Sequence, residues 1–356
     1  MLFQGNHDPH EGTTSLGQEY LLSDDGSLSL VHGTIGSSHS SSSSTQSRVS
    51  APKAPSPTLV SVSGSNLQID LVWDSSVGSA PSGYTTAIID AAKTLIAEYG
   101  VVPDVKGKVT INIDVGYGEI AGSSMSASAL GESESYGYLT NYSTVTGALT
   151  KAGYSFTASN EPTGAQFFVT SAEAKAMGLV SATSSSVDGY IGFSTLSGTG
   201  YSWNLHAQVG STDSGTGSKQ FDLESVASHE ISEILGRIGM EGAKMNGKAT
   251  YTPFDLFDFS SAGTLALSGN GGYFSIDNGA TNLGAFNNAN TNGGDISDWA
   301  SVSSTSQSHT FGLTSGYQDA YDAFGFPGVN GQVSSADFAA VAALGYGSKT
   351  AALAIV

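Results

Sequence analysis

The sequence predicts an α+β fold: a twisted mixed sheet with one long helix and a second, charged helix, followed by a loop-rich C-terminal part. Three observations point there. Residues 67–74 (Leu-Gln-Ile-Asp-Leu-Val-Trp-Asp) and 109–115 (Val-Thr-Ile-Asn-Ile-Asp-Val) alternate apolar and polar side chains, the period of half-buried strands. Tyr84–Tyr99 sets Ala87, Ile88, Ala91, Leu95 and Ile96 at helical spacing. Residues 221–238 do so again, with Leu223, Ala227, Ile231, Ile234 and Ile238 on one stripe. Val226, His229, Glu230, Glu233 and Arg237 fall on the neighbouring face.

Taken in order, residues 1–56 are Ser- and Pro-rich and too polar to offset chain entropy by burial. They read as a linker or pro-segment, with a short strand pair near Tyr20 and Leu28. A catalytic subdomain is expected over 57–238. Within it, a short Ala-rich helix falls near residues 170–179, a strand at 189–194 and another from Leu205. Asp222 is the expected N-cap of the charged helix. Residues 239–347 form a loop-rich C-terminal subdomain closed by a helix that Ser334 caps and Gly345 ends. Residues 348–356 are a tail.

Composition narrows the function. The chain has 356 residues, 39% hydrophobic, with a net charge of −19, which repels nucleic acid and anionic membranes and suits calcium-rich surroundings. There is no Cys, so any metal is held by His and carboxylates. No run approaches the ~20 apolar residues of a membrane span. The first residues lack the basic and apolar regions of a secretory signal, so either the signal lies outside this sequence or export uses a signal-peptide-independent route.

The chemistry concentrates in His229-Glu230-Ile-Ser-Glu233. Residues four apart share a helix face, so His229 and Glu233 can hold one metal while Glu230 addresses a water. Zinc accepts such carboxylate ligands. The bland alternative is a helical ion pair between Glu233 and Arg237 at i,i+4.

The run from Phe221 to Arg237 resembles the active-site helix of bacterial metzincin-like zinc peptidases, in particular a secreted group with His-Glu-x-x-Glu and Leu-Gly-Arg. Similar motifs recur in order at residues 251–257, 273–279, 294–300, 322–325 and 334–346. The resemblance covers roughly residues 66–347. It implies a metzincin-like catalytic domain and a zinc-dependent endopeptidase exported by bacteria, acting on a protein or peptide substrate. Glu230 would be the base.

Two positions depart from that family's pattern. Glu233 replaces its second His, and Gly239 stands where its third His would be. The third ligand must come from elsewhere. Asp255 is the first choice, with Asp258, His206 and His309 as alternatives. One His with two carboxylates binds zinc less tightly and admits harder ions. The substrate is expected along an edge strand near residues 189–194. Asn288, Asn290, Asn292 and Asp295 resemble the first half of a calcium loop, without its twelfth-position Glu. His7, His10, His32 and His39 read as parts of a solvated tail; for His7 and His10 the alternative is a cap on a latent site. A second reading is a peptidase-fold structural or adhesive extracellular protein without turnover, calcium-binding and self-assembling.

Overall fold

The computed structural model describes residues 19–23, 28–30, 53–99, 102–103, 105–156, 160–205, 216–267, 271–288, 294–300, 310–314 and 317–356. β1 (Glu19–Leu22), β2 (Leu28–Leu30), β3 (Thr58–Ser61) and β4 (Leu67–Trp73) precede helix α1 (Tyr84–Tyr99). Then come β5 (Val109–Tyr117), the ribbon β6 (Glu119–Ile120) and β7 (Ser123–Ser124), and the long strand β8 (Gly131–Thr140). They are followed by α2 (Tyr142–Lys151), β9 (Gln166–Thr170), α3 (Ser171–Ala176) and β10 (Gly189–Phe193). The parallel pair β11 (Ser202–Asn204) and β12 (Gln220–Asp222) leads into α4 (Leu223–Ile234).

Beyond α4 the chain returns to the same sheet through β13 (Ala243–Met245) and β14 (Lys248–Tyr251). β15 (Asp258–Ser261), β16 (Thr264–Leu265), β17 (Tyr273–Phe274) and β18 (Gly284–Ala285) form a small second sheet. β19 (Gln318–Asp319) pairs with β20 (Gly331–Gln332), and α5 (Ser335–Val341) and α6 (Lys349–Ile355) close the chain. No helix among the described residues is long and apolar enough to cross a membrane.

The main sheet runs β13-β14-β9-β8-β10-β5-β4-β3, with β1 and β2 added beside β8. It is mixed: β4, β5 and β10 are parallel, and β8 is antiparallel to β9 and β10. β4 alternates buried and half-buried residues along its whole length, as its period-two sequence dictates. α1 buries its apolar stripe against α4 and β4, with Ile88, Leu95 and Ile96 fully buried. Each such side chain contributes about 1.5–3 kcal/mol by leaving water. This packing backs α4 with a rigid helix.

Register fixes where the sheet is open. Ser135 pairs with Gly189 of β10 and with Leu22 of β1. Gly137 pairs with Thr170 of β9 and with Tyr20 of β1. A strand has two lateral sides, so β9 and β10 lie on one side of β8 and β1 on the other. β1 spans only residues 135–138 of β8. Residues 131–134 therefore have no strand on that side among the described residues. The expectation of an edge at residues 189–194 is corrected here: β10 lies between β8 and β5. The open edge belongs to β8, which the sequence did not reveal as a strand.

Beneath the sheet, Lys175 Nζ meets Asp188 Oδ2 at 2.6 Å, both nearly fully buried. Lys175 also donates to the carbonyls of Thr110 and Ser184, and Asp188 accepts from Asn112 N and Ser171 Oγ. Removing one member leaves the other charge buried and uncompensated. Lys175→Met should lower the unfolding free energy by about 3–5 kcal/mol, read from urea denaturation.

Candidate metal centre

Asp222 caps α4, its side chain accepting from Ser225 N at 3.3 Å and from Gly331 N at 2.9 Å. The helix ends at Gly236, whose φ of +115° disfavours a side chain, and Arg237 N–H bonds back to Ser232 O at 3.0 Å. That turn tucks Arg237 beneath the helix. His229 and Glu233, one turn apart, face the same way.

His229 Nε2 lies 3.2 Å from Glu233 Oε1 and 3.2 Å from Asp298 Oδ1. His229, Glu233 and Asp298 each offer one ligand atom within 4.8 Å of the others. On the far side of the ring, His229 Nδ1 lies 3.0 Å from the Ala320 carbonyl. With Nδ1 donating to that carbonyl, loss of the Nε2 proton on metal binding would turn Nε2 into a ligand atom, the usual arrangement of a metal-binding imidazole. Donors about 3 Å apart match an ion bonded at ~2.0–2.2 Å to each. The residues present fit a divalent ion.

Arg237 is fully buried under this set. Its Nη1 donates to Asp298 Oδ1 at 2.6 Å and its Nη2 to Glu233 Oε1 at 3.3 Å. The guanidinium also lies 4.4 Å from the Tyr321 ring centroid, and its Nε donates to Ser232 Oγ. Ser133 of β8 donates to Glu233 Oε2 at 2.7 Å. Burial works against ionising Asp298, yet His229 and Arg237 beside it hold its carboxyl below the usual range. Burial also works against a charged imidazole at His229, and the Asp298 charge outweighs it, raising that pKa well above the ordinary value.

The centre lies on the floor of a cleft of about 420 Å³. Residues 128–131 line one wall and residues 324–326 another. Glu230 lines it too, directly against β8: a Cβ at Gly131 would collide with the Glu230 carboxylate. Glycine is what lets the strand edge approach that side chain.

The acid that the structure brings beside His229 and Glu233 is Asp298, not Asp255. Asp255 accepts hydrogen bonds from the backbone N–H groups of Met240, Glu241 and Thr252 at 2.8–3.2 Å, closing the loop after α4. Its place beside His229 is taken by Asp298, 65 residues beyond Glu233. Asn287 positions that segment, its side chain donating to Asp295 O and its N–H to Asp298 O. Asp258 lies with Asp255, away from the centre. His206 and His309 fall outside the described residues, as do His7, His10, His32 and His39. Of the calcium-loop residues, Asn290 and Asn292 also fall outside them; Asn288 is described, and Asp295 lines the cleft. No family model, curated protein or solved structure matches the chain.

His229→Ala and Asp298→Ala should each abolish stoichiometric metal, measured by elemental analysis after dialysis, whereas Asp255→Asn should retain it. A second prediction concerns the support behind Ala320. Asp337 accepts from Trp299 Nε1 at 2.5 Å and Ser334 N at 2.8 Å, and Asp319 from Tyr321 N at 2.9 Å. Burial first, and then the facing Asp319, hold the Asp337 carboxyl well above its usual range, so the pair shares a proton. A raised native pKa favours the fold below the unfolded value near 4 and loses that contribution as pH climbs through the native one. Urea midpoints should therefore fall, as pH rises above the unfolded value of about 4, more steeply in the wild type than in Asp337→Asn.

Proposed function

We propose that this protein is a metal-dependent endopeptidase of metzincin-like design, exported from a bacterial cell, with zinc held by His229, Glu233 and Asp298. One observation carries the reading: His229 Nε2, Glu233 and Asp298 converge on the cleft floor beside Glu230 and an open strand edge. A zinc ion held there supplies Lewis acidity, polarising a carbonyl and making water acidic enough to ionise near neutral pH.

The chain's own residues supply the rest. Glu230 takes a proton from the attacking water at its carboxylate and hands it to the leaving amine. The edge of β8 over residues 131–133, beyond the end of β1, binds an extended peptide by main-chain hydrogen bonds, which align it over Glu230 without fixing its sequence. Arg237 and Ser133 orient the Glu233 carboxylate, Arg237 and the Asn287-bonded segment orient Asp298, and the Ala320 carbonyl orients His229.

A second reading has its own observation. Arg237 already bridges Glu233 and Asp298, so the cluster also serves as a buried ion-pair lock in a non-catalytic extracellular protein. Cleavage of casein or of the chain itself separates the two. Glu230→Gln should keep the metal and lower the cleavage rate by about 10²–10⁴. Unchanged cleavage in that variant contradicts the peptidase reading.

A further inference from the structure

A second group of acids lies on the opposite side of the loop that carries Asp298. Glu241 follows α4, Asp255 lies in the short turn Phe254–Phe257, and Asp258 opens β15. Glu241, Asp255 and Asp258 line a cavity of about 10 Å³ together with Phe254, Phe286, Ile296 and Ser297. That is the space of a single water or ion.

The three acids differ in what satisfies them. Asp255 is engaged by three backbone N–H groups, as described above. Asp258 is only 3% exposed, and neither of its carboxylate oxygens receives a hydrogen bond. Its polar neighbour is the carboxyl group of Glu241. Gly272 presses on Asp258 so closely that a Cβ there would collide with Oδ1, which confines that carboxylate. A buried carboxylate with no donor costs several kcal/mol unless a proton or a cation neutralises it.

We propose that Glu241 and Asp258 bind a divalent cation of the calcium class in this cavity, with Asp255 adding charge beside it. The donor set is oxygen only, which selects a hard ion. The cavity is too small for the hydration shell that magnesium retains, so calcium is favoured. These are not the residues of the Asn288–Asn292 stretch. The site is independent of the zinc reading, since it shares no ligand with it. It does touch the same loop: Ile296 and Ser297 line the cavity and lead directly into Asp298. An ion here fastens the C-terminal end of that loop to the segment after α4.

The test uses the full chain, stripped with a chelator and reloaded with calcium, magnesium or zinc chloride, with thermal melting and calorimetric titration as readouts. Calcium at about a hundredfold excess over its Kd should raise the melting temperature by roughly 5 °C or more, and magnesium by much less. Asp258→Asn should abolish the calcium shift and weaken calcium binding more than about tenfold, while zinc bound at His229 stays at one per chain. His229→Ala should lose the zinc and keep the calcium shift. If Asp258→Asn fails to fold, Glu241→Gln and the wild-type titration carry the same comparison. A wild type with no calcium response, in which the two acids simply share a proton, overturns the proposal. So does a calcium shift that persists unchanged in both variants.

Discussion

Arg237 sits fully buried below α4 and divides its guanidinium between two carboxylates that come from distant parts of the chain. A buried guanidinium without counter-charge would be untenable, and so would Glu233 and Asp298 packed together without a cation. The requirement acts in both directions. It forces the loop around Asp298 against the end of α4, and with His229 it holds the Asp298 carboxyl below the usual range. The peptide turn at Gly236 that tucks Arg237 under the helix, the Tyr321 ring beneath it and the Asn287 bonds that shape the loop all serve that contact.

The cleft follows from a second constraint. The β8 edge can approach Glu230 only because Gly131 lacks a side chain, and β1 stops short of that segment. The same strand reaches across with Ser133 to Glu233. One element therefore forms the wall, offers the open edge and orients a metal ligand. The acids at Glu241 and Asp258 extend the logic to the far side of the Asp298 loop, where the buried Asp258 carboxylate receives no hydrogen bond.

Much of this could be read from residue order. The period-two runs of β4 and β5, the stripe of α1 and the cap of α4 are local patterns, and each lies where its pattern points. β8 escaped notice because Glu132, Ser133, Glu134 and Ser135 carry no apolar alternation; the buried residues of that run, Glu132, Ser133 and Ser135, are polar, and Ser133 donates a hydrogen bond to Glu233. Asp298 escaped for a different reason. Helical spacing relates residues three or four apart and says nothing about a carboxylate brought in by a loop 65 residues on. Asp255 looked the better ligand from chain distance alone, but its loop uses it to satisfy three N–H groups. The one clue available was Arg237 at the end of a buried helix, since a guanidinium has more N–H donors than Glu233 alone engages.

The central claim is that His229, Glu233 and Asp298 share one metal ion. Crystals of the zinc-loaded protein, measured on both sides of the zinc absorption edge, test it most directly. The account predicts a single anomalous peak within bonding distance of His229 Nε2, a Glu233 oxygen and an Asp298 oxygen, with Arg237 still bonded to the two carboxylates. No peak there, with His229 bonded directly to Asp298 in protein that holds zinc elsewhere or not at all, would contradict it.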